Sequence, residues 1–198
     1  MLMDYLCKNG RCAEARKIFD YMAEKGPKPN VATYRILLHG YATEGALAEL
    51  NDLVDLMARN SVQLDNHVSS ILISAYAERR MVDEGMLIFN RMQQQGLGHD
   101  IFSYTAMIHG YCLAGEMDEA MKLLSNMVSV GLKPDGLTYS ILINGYCKTG
   151  KLKDALSLFS QMSGAIEPEP VRYHITWQMI FQALVATTGL LQRNSVSR

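Results

Sequence analysis

The sequence predicts an all-α solenoid of antiparallel helical hairpins, repeating every 35 residues and winding into a superhelix. Two observations carry this. Met22, Met57, Met92, Met127 and Met162 fall in one register, as do Tyr41, Tyr76, Tyr111 and Tyr146. Within a repeat, two apolar stripes of helical period are separated by a glycine and closed by a Gly-x-x-Pro-Asp turn, most plainly at Gly131, Pro134 and Asp135. A single hairpin of this size cannot bury both stripes, so neighbouring hairpins must stack.

The first repeat, 1–30, enters inside its own first helix and closes at Asn30. Full repeats run 31–65, 66–100 and 101–135. In 101–135, Tyr104, Met107, Ile108 and Tyr111 are spaced i, i+3, i+4, i+7, which sets one apolar stripe on the first helix. Ala114-Gly115 stops that helix, and Glu116, Asp118 and Glu119 suit the positive end of the next. Ala120, Leu123, Leu124 and Met127 form the second stripe. Gly131 ends it, Pro134 cannot continue a helix, and Asp135 is placed to cap the following one.

The repeat 66–100 departs from this pattern: Arg80 replaces the inter-helix glycine, Gly85 an alanine of the second helix, and His99 the proline. Glycine inside a helix costs about 1 kcal/mol relative to alanine, so this hairpin is expected to be the loosest. The repeat 136–170 opens with Thr138 to Ile143 and has a second helix from Leu152 to Met162, but its turn, 163–170, breaks register. Residues 175–180 read as another first helix, with Trp177 where Tyr139 stood. The segment 171–198 is then a degenerate half-repeat or capping helix with a polar tail, Gln192 to Arg198.

With 48% apolar and 20% charged residues the chain has ample material to bury. A net charge of −1 provides no global basic field, so any nucleic-acid contact must rest on local side chains, and DNA is not expected as a partner. Cys7, Cys112 and Cys147 share one repeat position, which points to packing; zinc ligands come in closely spaced pairs. All four cysteines read as reduced thiols. The N-terminus lacks the long apolar run of a secretory signal and the Arg- and Ser-rich, acid-poor composition of an organellar presequence. Trp177 to Leu191 is the most apolar stretch but is shorter than the roughly 20 residues of a membrane span. The sequence has no Gly-rich phosphate loop, metal motif or nucleophile set outside the repeat, so no enzyme activity, metal or cofactor is expected.

The motifs Leu137-Thr138-Tyr139, Gly145-Tyr146-Cys147, Gly115-Glu116-Met117-Asp118-Glu119-Ala120 and Gly131-Leu132-Lys133-Pro134-Asp135 resemble pentatricopeptide repeats of the P class. Residues 37–47, 127–135 and 142–152 look particularly like the plant restorer-of-fertility subgroup. The resemblance covers 1–162 strongly and 163–198 poorly. It implies a mitochondrial plant protein that binds single-stranded RNA, one base per repeat, with a recruited protein partner for any processing. In that family the fifth and last residues of a repeat select the base. Carried over, the pairs are Arg35 with Asp65, Ser70 with Asp100 and Thr105 with Asp135. Asn30 and Ser140 are base-reading positions without a partner. Ala32, His67, Phe102 and Leu137 are the base-packing residues. By the family's rule Thr-Asp favours guanine, and Arg35 departs from the usual small polar residue.

The residues alone leave two roles open for each aspartate, helix N-cap or hydrogen-bond acceptor for a base. Phe102 is expected to face outward, and Tyr34, Tyr104 and Tyr139 to be core. Lys8 and Lys148 share a position and are candidates for phosphate contact, although Glu78 and Leu113 interrupt the series. His39 and His109 read as helix-surface residues. Two alternatives stand beside RNA binding. One is a protein-binding helical scaffold of the tetratricopeptide kind, against which the 35-residue period and the Pro-Asp ends argue. The other is a truncated, non-functional fragment of a longer restorer-like protein.

Overall fold

A computed structural model describes residues 2–165 and position 178. The helices are α1 (Leu2–Lys8), α2 (Cys12–Lys25), α3 (Val31–Glu44), α4 (Leu47–Arg59), α5 (Asn66–Ala77), α6 (Val82–Gln94), α7 (Ile101–Ala114), α8 (Met117–Ser129), α9 (Gly136–Lys148) and α10 (Leu152–Ala165). No strand occurs among the described residues. The chain divides into two compact bodies, Met1–His99 and Asp100–Arg198. In the first, α1 packs on α2 and α3, α3 on α4 and α5, and α5 on α6. In the second, α7 packs on α8 and α9, and α9 on α10. Within each body the odd-numbered helices are thus the stacking layer, α1 on α3 and α3 on α5 in the first, α7 on α9 in the second. This is the all-α solenoid architecture that the period predicts.

Backbone chemistry explains the punctuation. Asn30, Asp65, Asp100 and Asp135 are extended N-caps whose side chains accept the amides of Thr33, Val68, Ser103 and Thr138, at 3.1, 2.8, 2.8 and 2.8 Å. Such a cap stabilises a helix by about 1 kcal/mol. At the other end, the amides of Ala46, Met81, Glu116 and Lys151 reach back to the carbonyls of Tyr41, Tyr76, Tyr111 and Tyr146. After three of the second helices, Val62, Leu97 and Leu132 reach Met57, Met92 and Met127 in the same way. The tyrosine and methionine registers therefore mark the residues whose carbonyls close each turn.

Those turns need a residue of positive φ, supplied by Gly45, Gly115 and Gly150 between paired helices and by Gly96 and Gly131 after them. Arg80 occupies the first position at φ 60° and Ser61 the second at φ 55°. The repeat 66–100 also carries Ser69 where Tyr34, Tyr104 and Tyr139 are buried. Ser69 is itself buried, and its hydroxyl has no hydrogen-bond partner among the described residues. His99 lies flat on Phe89, ring centroids 3.7 Å apart.

The single stripe expected on the first helix of 101–135 is a correction. α7 buries Ser103, Tyr104, Thr105, Met107, Ile108, Gly110 and Cys112, while Tyr111 is only half-buried. Packing on both α8 and α9 leaves this helix apolar on more than one side. The second helices keep one stripe: α8 buries Met117, Ala120, Leu124 and Met127, with Leu123 half-buried. Close approach within a stack uses a recurrent small residue. A Cβ on Gly40 would lie 2.4 Å from Cys12 Sγ and 2.9 Å from Cys7 Sγ. On Gly145 it would lie 2.7 Å from Met117 Sδ. The cysteines are free thiols: Cys7, Cys12 and Cys112 are buried and Cys147 is half-buried.

The helix expected to end at Met162 continues to Ala165, a second correction. Gly164 weakens this end, but the first residue pushed out of the helical region by its successor is the one preceding Pro168, so no strict stop falls before Ala165. The remaining turn to 170, the helix at 175–180 with Trp177 and the half-repeat 171–198 lie outside the described residues.

Candidate nucleic-acid interface

Each N-cap fixes the first turn that follows it. The third residue after the cap donates its amide to the cap and points inward: Thr33, Val68, Ser103 and Thr138 are all buried. The second residue is turned outward, and Ala32, His67, Phe102 and Leu137 are all exposed. Phe102 is 75% exposed and Leu137 45%, while Tyr104 and Tyr139, two residues on, are 1% and 9% exposed. The expected division between outward Phe102 and core Tyr34, Tyr104 and Tyr139 is what the helix geometry produces.

The fifth-position side chains differ in what they leave for a ligand. Ser70 and Ser140 donate their hydroxyl protons to the carbonyls of Asn66 and Gly136, at 2.9 and 2.6 Å. Thr105 is buried and its hydroxyl meets that of Thr138 at 2.8 Å. Thr138 in turn donates to Asp135 Oδ1 at 2.9 Å, so Thr105 and Asp135 are connected through it. Arg35 is half-buried, and its guanidinium makes no hydrogen bond or ion pair among the described residues. Ser70 stands on α5 of the first body and Asp100 caps α7 of the second, where Ser103 completes a capping box.

In the first body, α1, α3 and α5 enclose a groove of about 490 Å³. It brings together Lys8, Arg35 and His67, chosen from sequence for three different roles, and adds His39, Ile36 and Ile71. Lys8 meets the exposed carboxylate of Asp4, which also lines the groove, at 2.8 Å and increases its acidity. Arg35, without an ion pair among the described residues, lies beside two isoleucines, a setting that suits a flat heterocycle on an anionic backbone. Lys148 is exposed on α9, His39 is exposed and His109 half-buried. Among the described residues, no group of three or more His, Cys, Asp or Glu could hold a metal ion. No described helix is long and apolar enough to cross a membrane.

Sequence reasoning missed Thr138, Ile36 and Ile71. Thr138 carried a signal, since it shares a register with Thr33 and Ser103, but hydroxyl residues there are accounted for by capping alone.

A model of the PPR repeat family matches residues 1–43, 70–112 and 99–148, and a PPR repeat model matches 137–165. The chain belongs to the pentatricopeptide repeat family. Comparison with curated protein sequences returns no match. Among solved structures, the pentatricopeptide repeat protein PPR10 from maize is similar at TM-score 0.82 and 24% identity, over 99% of this chain and 28% of that one. PPR10 in complex with an 18-nt psaJ RNA element is similar at TM-score 0.67 and 24% identity, over 97% and 32%. The PPR domain of Arabidopsis thaliana protein-only RNase P 1, in complex with tRNA, is similar at TM-score 0.72 and 15% identity, over 89% and 94%. These likenesses establish the pentatricopeptide fold; the chain spans less than a third of the length of PPR10.

Proposed function

We propose that this chain binds single-stranded RNA along its odd-numbered helices, about one base per repeat. It acts on organellar, specifically mitochondrial, transcripts by occupying them, with processing left to a recruited protein. The observation that carries this is the exposure of Phe102 and Leu137 at one helical position, two residues past a capping aspartate. Apolar side chains held outward at a fixed repeat position, with buried tyrosines next to them, serve no core and suit stacking against bases. Membership of the pentatricopeptide family supports the reading, as does the RNA in the complexes of PPR10 and protein-only RNase P 1. The base-reading pairs within one body are Arg35 with Asp65 and Thr105 with Asp135, and Ser70 and Asp100 are base-reading candidates by repeat position.

Stacking contributes about 1 to 3 kcal/mol per base, so three or four bases give about 3 to 12 before ordering costs are subtracted. Micromolar affinity is expected. The test is an anisotropy titration at fixed salt against G-rich and U-rich oligomers. Wild-type protein should prefer guanine where Thr105 and Asp135 align, and folded Thr105→Asn should shift that position toward uracil. Absence of binding to every oligomer would overturn the proposal.

A further inference from the structure

Resting on that RNA reading, we infer that Thr138 is a positioning residue. It makes the Thr105–Asp135 pair accept hydrogen bonds only, and so selects the base edge that offers two adjacent donors, N1–H and N2–H of guanine.

A threonine hydroxyl has one proton and two lone pairs. Thr138 gives its proton to Asp135 Oδ1, at 2.9 Å, and that same oxygen accepts the Thr138 amide at 2.8 Å. In the 2.8 Å contact between Thr105 and Thr138, the donor must therefore be Thr105. Its proton is committed inside the stack, and only a lone pair remains for a ligand. The carboxylate of Asp135 is an acceptor as well. Adenine and cytosine each offer a single donor group beside a ring acceptor, and uracil one N–H between two carbonyls. Guanine alone places two donors side by side.

The linkage is particular to this junction among the described residues. At the position of Thr138, Val68 has no hydroxyl, and Ser103 and Thr33 spend theirs on the carbonyls of Asp100 and Asn30 at 2.9 and 2.6 Å. Arg35, at the position of Thr105, offers donors only.

Thr138→Val removes the relay hydroxyl and keeps the β-branch and the amide that Asp135 accepts. The freed Thr105 proton can then be offered to a base acceptor. The measurement is the ratio of Kd values for oligomers carrying adenine or uracil in place of guanine at the aligned position. We expect that preference to fall about tenfold in Thr138→Val, the worth of one hydrogen bond, and to be kept in Thr138→Ser. Substitutions at the base aligned with Arg35 and Asp65 should be indifferent to either change. A folded Thr138→Val that retains the wild-type ratio overturns the relay alone. Wild-type protein that binds no oligomer overturns the RNA reading beneath it. An independent readout needs neither RNA nor a variant: the hydroxyl protons of Thr105 and Thr138 should exchange slowly with solvent in NMR spectra of the free chain. Fast exchange of both would contradict the relay.

Discussion

At Asp135, capping a helix and reading a base are compatible tasks. Its Oδ1 accepts both the amide and the hydroxyl of Thr138, while no described residue bonds its second oxygen. Asp65 and Asp100 likewise use Oδ1 for the cap. A carboxylate has about four lone-pair sites, so a cap leaves an acceptor over. The two roles that the residues left open are therefore both available to each side chain. Arg35 gives the 31–65 repeat the opposite hydrogen-bonding polarity at its fifth position, donors where Thr105 has a lone pair to offer. The cysteines show packing acting on chemistry at this scale. Burial pushes the Cys112 thiol up to about 12 from 9.0, with Lys148 opposing it weakly, and burial also raises Cys7 and Cys147. The unfolded chain gives up the Cys112 proton first, so its contribution to stability is complete below pH 9.0 and is lost as pH rises through about 12. Urea unfolding at intervals across that window should show stability falling with pH, and falling less steeply in Cys112→Ala. Buried tyrosines titrate in the same direction, so the difference in slope is the reading that counts.

At the scale of elements, the turns were legible and the contacts between helices were not. Positive φ selects glycine, so Gly45, Gly115 and Gly150 announced their turns, and Arg80 announced a departure from them. A non-glycine residue in this conformation costs roughly 1–2 kcal/mol. Arg80→Gly should therefore stabilise the fold by about 1 kcal/mol and raise Tm by about 2–4 °C in a thermal melt. A Tm that falls or stays fixed would mean that the turn is not strained. The stripe on α7 was misread for a physical reason: a helix packed on two neighbours loses its amphipathic period, so its apolar residues no longer mark one face. The contact between Thr105 and Thr138 joins residues 33 apart on different helices and depends on how far one hairpin is offset along the next. No local propensity encodes that offset. Gly145 helps to set it by admitting cysteine and methionine sulfur where a Cβ would collide, and Gly40 does the same for Cys7 and Cys12 in the first body, yet in sequence they are only glycines inside helices.

For the whole molecule, the fold was readable because the same solution is written several times, and four registered copies suppress the ambiguity of any single one. The candidate site was readable in position only. Register identified Ala32, His67, Phe102 and Leu137 as equivalent, and the structure turns all four outward. The groove that gathers Lys8, Arg35 and His67 required the stacking of α1, α3 and α5. RNA is proposed to meet the odd-numbered helices, and ultraviolet cross-linking with peptide mapping tests that most directly. With oligomers carrying 4-thiouridine at every position, cross-links should concentrate on peptides of α3, α5, α7 and α9, with those holding His67 and Phe102 foremost. Cross-links concentrated on α4, α6 and α8 would place RNA on the even-numbered helices and contradict binding along the odd-numbered ones.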